Sequence, residues 1–378
     1  MGGNALKTVN TERKEKEEFL IIEGNVIATL KSFFPKAQIK SLTYYREKQN
    51  FGDLDIILSE NEYVEFVNNF WDNFCNKNKE ARKDEFFTIK SQLASKSLVH
   101  SLFNSQECYH SYPQFSFDYT LSKDKASFQI DIVVTPNLNF DFTDNYLSYN
   151  DLGNFIGVIA GNMGLKFGNA GLNYQLIKDG KFLDVVNITM DYYKALDFLG
   201  FDSERYKKGF NNLEEIFSFV ESGKYFDPVL YSLESRNAKQ RARDKKRKNY
   251  ALFLERNKIR KDDSQSITPF YRNKEYWFQE AINYFPDFSK KLQKILDEED
   301  KHKQFKNMFN GKIVSKITGI PELTTELGKF IESVRADFSS PQKFQDFILS
   351  KNKEEIEKWI SEEYASKFKG YANSKYSF

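Results

Sequence analysis

The chain has 378 residues, enough for about two or three domains with buried cores. Lys and Arg number 56 against 54 Asp and Glu, so the net charge of +2 names no acidic partner, and any polyanion-binding surface must come from local clustering. Hydrophobic residues at 40% and aromatic residues at 16% exclude a disordered chain, while two cysteines (Cys75, Cys108) and three histidines (His100, His110, His302) leave little room for a disulfide framework, a thiolate zinc site or a histidine triad.

Phe19, Leu20, Ile22, Val26, Ile27 and Leu30 recur at mostly three- and four-residue spacing, which predicts an amphipathic helix closed near Pro35. Strands are predicted over Ile39 to Tyr45, Asp53 to Ser59, Phe115 to Leu121 and Ser127 to Thr135, with a helix over Glu60 to Asn76. Asp151 to Gly180 is glycine-rich and reads as turn-dense. Helical periodicity returns over Thr189 to Leu199 and Leu213 to Val220; residues 228 to 262 read as a basic helical stretch, and from Pro269 onward the pattern is almost all helix. The division between a mixed half and a helical half is drawn at 225. No apolar run reaches the 18 or so residues of a membrane span. Met1-Gly2-Gly3 opens like a myristoylation signal, but Leu6 stands where that signal takes Ser or Thr. With no signal peptide read, the expected location is the reducing cytoplasm.

If this chain is an enzyme, carboxylates carry its chemistry. In Asn50-Phe51-Gly52-Asp53-Leu54-Asp55-Ile56-Ile57-Leu58, strand alternation sends Asp53 and Asp55 to one face while Leu54 and Ile56 enter the core. Two adjacent carboxylates repel unless a cation sits between them, and Mg²⁺ suits such an oxygen environment. Gly-Asp-x-Asp also occurs in plain solvated turns. The second strand changes that balance: in Phe128-Gln129-Ile130-Asp131-Ile132-Val133-Val134, Asp131 faces away from Phe128, Ile130 and Ile132. An Asp in an apolar strand is costly unless paired or metal-bound, and a neighbouring strand would set it beside Asp53 and Asp55. Three such carboxylates suit two-metal phosphoryl transfer, with Asp131 as proton acceptor for a 3′ hydroxyl.

This arrangement resembles the palm of the DNA polymerase beta-type nucleotidyltransferases, in which Gly-Ser precedes Asp-x-Asp on one strand and a third Asp follows on a later one. Leu42 stands where the family has Gly and Thr43 where it has Ser. The resemblance implies Thr43, Arg46, Lys48 and Gly52 at the triphosphate, although Arg46 and Lys48 also read as ordinary exposed cations. Gly2-Gly3 is a candidate substitute for the missing glycine. Gly157-Val158-Ile159-Ala160-Gly161-Asn162 resembles the family's Thr-Gly-Ser bend beneath the nucleotide, which implies contacts from Asn162, Lys166 and Asn173. The stretch from Thr189 to Phe201 resembles its short helix ending in Leu-Gly.

Between Arg236 and Lys261 lie twelve Lys and Arg opposed only by Asp244 and Glu255. Such a block meets a polyanion or stays a solvated helix; the polyanion reading assigns Arg241, Arg243, Lys245, Lys246, Arg247 and Lys248 to nucleic acid. Further on, Asn310-Gly311, Gly319-Ile320 and Leu327-Gly328 resemble turns in the helical body of CCA-adding enzymes and bacterial poly(A) polymerases. The expectation is therefore an α+β protein: a nucleotidyltransferase palm (1–225), made of a small mixed β-sheet flanked by helices, then a mostly helical, basic nucleic-acid-binding domain (226–378). It would move a nucleoside monophosphate from an NTP to a nucleic-acid 3′ hydroxyl, with two Mg²⁺ or Mn²⁺ ions held by Asp53, Asp55 and Asp131. RNA with a tRNA-like end is the favoured acceptor. Gapped DNA, a protein or small molecule, and a non-catalytic nucleic-acid-binding role are the alternatives.

Overall fold

The computed structural model describes residues 5–78, 84–122, 125–258 and 273–368; Gly2 and Gly3 lie outside them. The chain divides into two compact units, Met1–Phe288 and Ser289–Phe378.

In the first unit a two-residue strand, β1 (Lys14–Glu15), leads into helix α1 (Lys16–Phe33). Phe19, Ile22, Val26 and Leu30 form its buried stripe, and Glu17 and Glu18 occupy the first turn, where the helix dipole favours negative charge. Next come β2 (Ile39–Ser41), β3 (Asn50–Phe51), β4 (Asp53–Ser59), α2 (Glu60–Lys77), α3 (Phe87–Phe103), β5 (Cys108–Ser111), β6 (Gln114–Tyr119) and β7 (Phe128–Thr135). Five of these strands make a mixed sheet in the order β2-β4-β7-β6-β5, while β3 pairs with β1. Among the described strands of this sheet only β4 and β7 pair in parallel, and the long connection this requires is supplied by α2, α3 and the β5–β6 hairpin. Leu54, Ile56 and Leu58 of β4 and Phe128, Ile130, Ile132 and Val134 of β7 are buried in one core with Tyr63 and Val67 of α2 and Ala94 and Leu98 of α3. The three helices thus pack on one face of the sheet, and the alternate residues of β4 and β7 project from the other. The strand expected to reach Tyr45 ends at Ser41, since the chain leaves the sheet after Leu42 donates to the Asp55 carbonyl at 3.0 Å.

The glycine-rich segment is more regular than expected. After α4 (Phe140–Leu147) it holds α5 (Leu152–Asn162), and then β8 (Leu165–Gly168), β9 (Gly171–Lys178) and β10 (Lys181–Thr189) form a separate antiparallel meander. Two of its glycines are sterically required. A Cβ on Gly153 would lie 2.2 Å from the Tyr146 carbonyl oxygen of α4; Gly171 turns the β8–β9 hairpin at φ +101° with no room for a side chain. Three short helices follow, α6 (Tyr192–Phe198), α7 (Ser203–Lys207) and α8 (Leu213–Glu221), each capped by its preceding Asp or Asn: Asp191, Asp202 and Asn212.

The basic stretch is not one helix. It is broken into two 3₁₀ turns (Pro228–Tyr231, Leu233–Ser235), α9 (Ala238–Asp244) and α10 (Lys248–Arg256). Tyr250 and Phe253 of α10 pack on Phe155 of α5 with ring centroids at 5.5 and 4.6 Å, and the Tyr250 hydroxyl donates to the Tyr231 carbonyl at 2.7 Å. These contacts hold the stretch in the first unit, so the compact units divide at 288, whereas the sequence reading drew its division at 225. Arg260, Lys261 and Pro269 lie outside the described residues.

The second unit is helical, with helices over Gly311–Thr318, Thr325–Arg335, Pro341–Leu349 and Lys353–Lys367 after the long helix Pro286–Met308 that begins in the first unit. Phe309, Val314, Phe330, Phe344, Ile348 and Ile356 are among its buried core. Asn310 caps one helix, and Gly319 ends it at φ +76°. Among the described residues no helix is long and apolar enough to cross a membrane.

Candidate metal centre

Parallel pairing of β4 with β7 sets Asp55 directly opposite Asp131 and Asp53 opposite Gln129. Carboxylate oxygens of Asp53, Asp55 and Asp131 all come within 4.8 Å of one another on the face of the sheet away from the main core. Neither strand could do this alone: β4 supplies two residues through its two-residue period, and register supplies the third.

The electrostatics follow from the crowding. Burial first, then the neighbouring Asp53 and Asp131 charges, push the Asp55 carboxyl well above its ordinary range, against a smaller pull from Lys48. Burial likewise pushes Asp131 up to about 6; Asp53 adds to the rise, while hydrogen bonds from Ser116 and Gln129 oppose it. Ser116 faces Asp131 from β6, and the Gln129 amide donates to both Asp131 oxygens at 2.9 and 3.1 Å. The Lys48 ammonium sits over the Phe51 ring at 4.6 Å. Burial lowers its pKa, and the Asp53 and Asp55 charges work the other way. Three hard oxygen donors converging on one point, with their charges incompletely neutralised, fit a Mg²⁺ or Mn²⁺ site. Asp53, Asp55 and Asp131 are the residues that could hold it.

The other residues expected at the nucleotide are placed differently. Thr43 is exposed, but its N–H donates to the Ser148 hydroxyl at 3.1 Å and its carbonyl accepts from Tyr149 N–H at 2.7 Å, so its backbone groups are committed to the protein. Arg46 donates to Asn211 Oδ1 at 2.8 Å and to the Lys208 carbonyl, tying its loop to the segment before α8. Gly52 is buried between β3 and β4. The segment Gly157 to Asn162, expected to bend under a nucleotide, lies inside α5, where the Asn162 amide donates to the Val158 carbonyl at 2.9 Å. Lys166 is exposed on β8, opposite Asn173 on β9. Asn173 spends its amide on the Ala170 and Gly171 carbonyls and accepts from Asn187. Asn162, Lys166 and Asn173 thus belong to α5 and the meander, not to the sheet that carries the triad.

The basic residues separate by type. Arg241 donates to the Leu233 and Arg236 carbonyls, Arg243 to Asp244 at 2.8 Å and to Asn154, and Arg247 pairs with Asp151. Asp244 is fully buried and also receives Arg236 at 3.1 Å. Lys245, Lys246 and Lys248 are exposed at the break between α9 and α10. Sequence reading assigned no role to Gln129, although a polar residue two before Asp131 on the same strand face is a legible signal. Ser148 and Tyr149 have no such signal, since only the tertiary fold brings them to Thr43. Compared with known proteins, the chain matches no protein-family model and no curated protein.

Proposed function

We propose that the protein is a metal-dependent nucleotidyltransferase that moves a nucleoside monophosphate from an NTP to the 3′ hydroxyl of a nucleic acid, with RNA favoured over DNA and pyrophosphate released. The observation that supports this reading is the convergence of Asp53, Asp55 and Asp131 within 4.8 Å on adjacent parallel strands, the arrangement implied by the resemblance to the polymerase beta-type palm. Asp53 and Asp55 would hold two ions and Asp131 one of them. Bound there, Mg²⁺ or Mn²⁺ supplies charge neutralisation for the transferring phosphoryl group and acidifies the attacking hydroxyl. Asp131, held by Gln129 and Ser116 with its carboxyl pushed up toward neutrality, accepts the proton of that hydroxyl. Lys48 approaches the triphosphate from the Asp53 and Asp55 side. Lys245, Lys246 and Lys248 take the backbone of the acceptor strand without regard to its sequence.

The test is transfer of label from each NTP and dNTP, with Mg²⁺ or Mn²⁺, onto total tRNA, a single-stranded oligonucleotide and gapped DNA. Metal-dependent label on RNA, absent from the Asp53→Ala/Asp55→Ala protein, is the expected result. Label on gapped DNA alone would replace the acceptor and keep the chemistry. No transfer to any acceptor, with nucleic-acid binding intact, would sink the enzymatic reading.

A further inference from the structure

The amino-terminal segment is fastened to the sheet by three devices. At one end the Glu107 carboxylate accepts the N–H groups of Lys7, Thr8 and Val9 at 2.7, 2.7 and 2.9 Å, together with the Thr8 hydroxyl at 2.7 Å. Farther along, Glu12 N–H donates to the Ser127 carbonyl at 2.9 Å, and β1 pairs with β3 beside the first carboxylate of β4. At the metal centre itself, Ala5 N–H donates to Gln129 Oε1 at 2.9 Å, and Gln129 Nε2 donates to both oxygens of Asp131. Gln129 is 2% exposed, so its amide has no solvent to turn toward. Its orientation is fixed from both ends: the oxygen must face a backbone donor and the nitrogen a carboxylate.

We propose that Gln129 is the positioning residue of the metal centre, and that the strap anchored on Glu107 holds it, through Ala5, in the one amide orientation that presents Asp131 for ion binding. The inference rests on reading the triad as a metal centre. A flipped or absent amide leaves Asp131 with the Ser116 hydroxyl as its remaining side-chain donor, a single contact that no longer ties both carboxylate oxygens, so the carboxylate is held less firmly toward Asp53 and Asp55. Partners of this kind behind metal ligands carry about 10- to 100-fold in metal affinity.

The experiment is Mn²⁺ titration of the full chain, read by the loss of free-ion electron paramagnetic resonance, which needs no knowledge of the reaction. Gln129→Leu and Gln129→Met, checked for folding by circular dichroism, are expected to bind Mn²⁺ about 10- to 100-fold more weakly than wild type. Glu107→Ala, remote from the ions, is expected to weaken binding in the same direction by a smaller factor. Wild-type affinity in a folded Gln129 variant overturns the inference while leaving the metal centre standing. Should neither Gln129 variant fold, wild-type affinity in Glu107→Ala overturns it. No Mn²⁺ binding by the wild-type protein removes the metal centre and this inference together.

Discussion

A buried carboxyl whose pKa rises on folding stabilises the protein only while it is protonated. For Asp131 the ordinary value is 3.8 and the folded value about 6, so its contribution is complete below 3.8 and is lost as pH rises through about 6. The corresponding cost at neutral pH is about 3 kcal/mol in the metal-free protein. Urea unfolding in the presence of chelator should therefore show stability falling between pH 4 and pH 7, with the fall reduced in Asp131→Asn and in wild type saturated with Mn²⁺. Equal pH profiles for wild type and Asp131→Asn would contradict the electrostatic account. Lys48 offsets part of the charge on Asp53 and Asp55, while burial works against its own charge.

At the scale of elements, the stretch around α9 and α10 combines arginines engaged within the protein with exposed lysines, a division by partner that the run of positive charge does not itself show. Arg236 and Arg243 converge on Asp244, which is wholly buried. Removing that carboxylate leaves a buried guanidinium uncompensated, so Asp244→Ala should lower stability by about 3–5 kcal/mol, measured as a loss of melting temperature. Arg243→Ala should cost less, because Arg243 is 43% exposed. The elements also show what a local pattern reveals. Asp53, Asp55 and Asp131 stood out because apolar residues at every second position fix which face each strand buries, and a carboxylate on the other face cannot be mistaken for core. β10 did not stand out: Val186 and Ile188 are its only buried residues, and Lys181-Phe182-Leu183-Asp184-Val185 is largely solvated and lacks alternation. The internal partners of Arg46 and Asn173 were equally hidden. Arg46 is claimed by Lys208 and Asn211, and Asn173 by Asn187. Such partners are set by tertiary structure, and no spacing along the chain announces them.

For the molecule as a whole, a net charge of +2 means that the proposed binding to nucleic acid would depend on where the exposed cations are. Lys245, Lys246 and Lys248 are exposed, whereas the three arginines among them are engaged internally. Replacing the three lysines with Ala should weaken RNA binding at low salt and make the slope of log affinity against log salt shallower by about 2, at roughly 0.7 per single-strand phosphate contact. Arg241→Ala should lower stability instead and leave that slope unchanged. A triple variant with the wild-type slope would rule these lysines out as the proposed acceptor surface. The sheet's two faces also differ in what holds them in place. A slip of one residue between β4 and β7 would turn Ile130 and Ile132 to the acidic side and drive Asp131 into the aromatic core. The apolar face therefore acts as the ruler against which the carboxylates are spaced. A descendant that lost all three acids would keep the ruler and the fold, whereas one that lost Ile130 or Phe128 would misplace a carboxylate it still possessed.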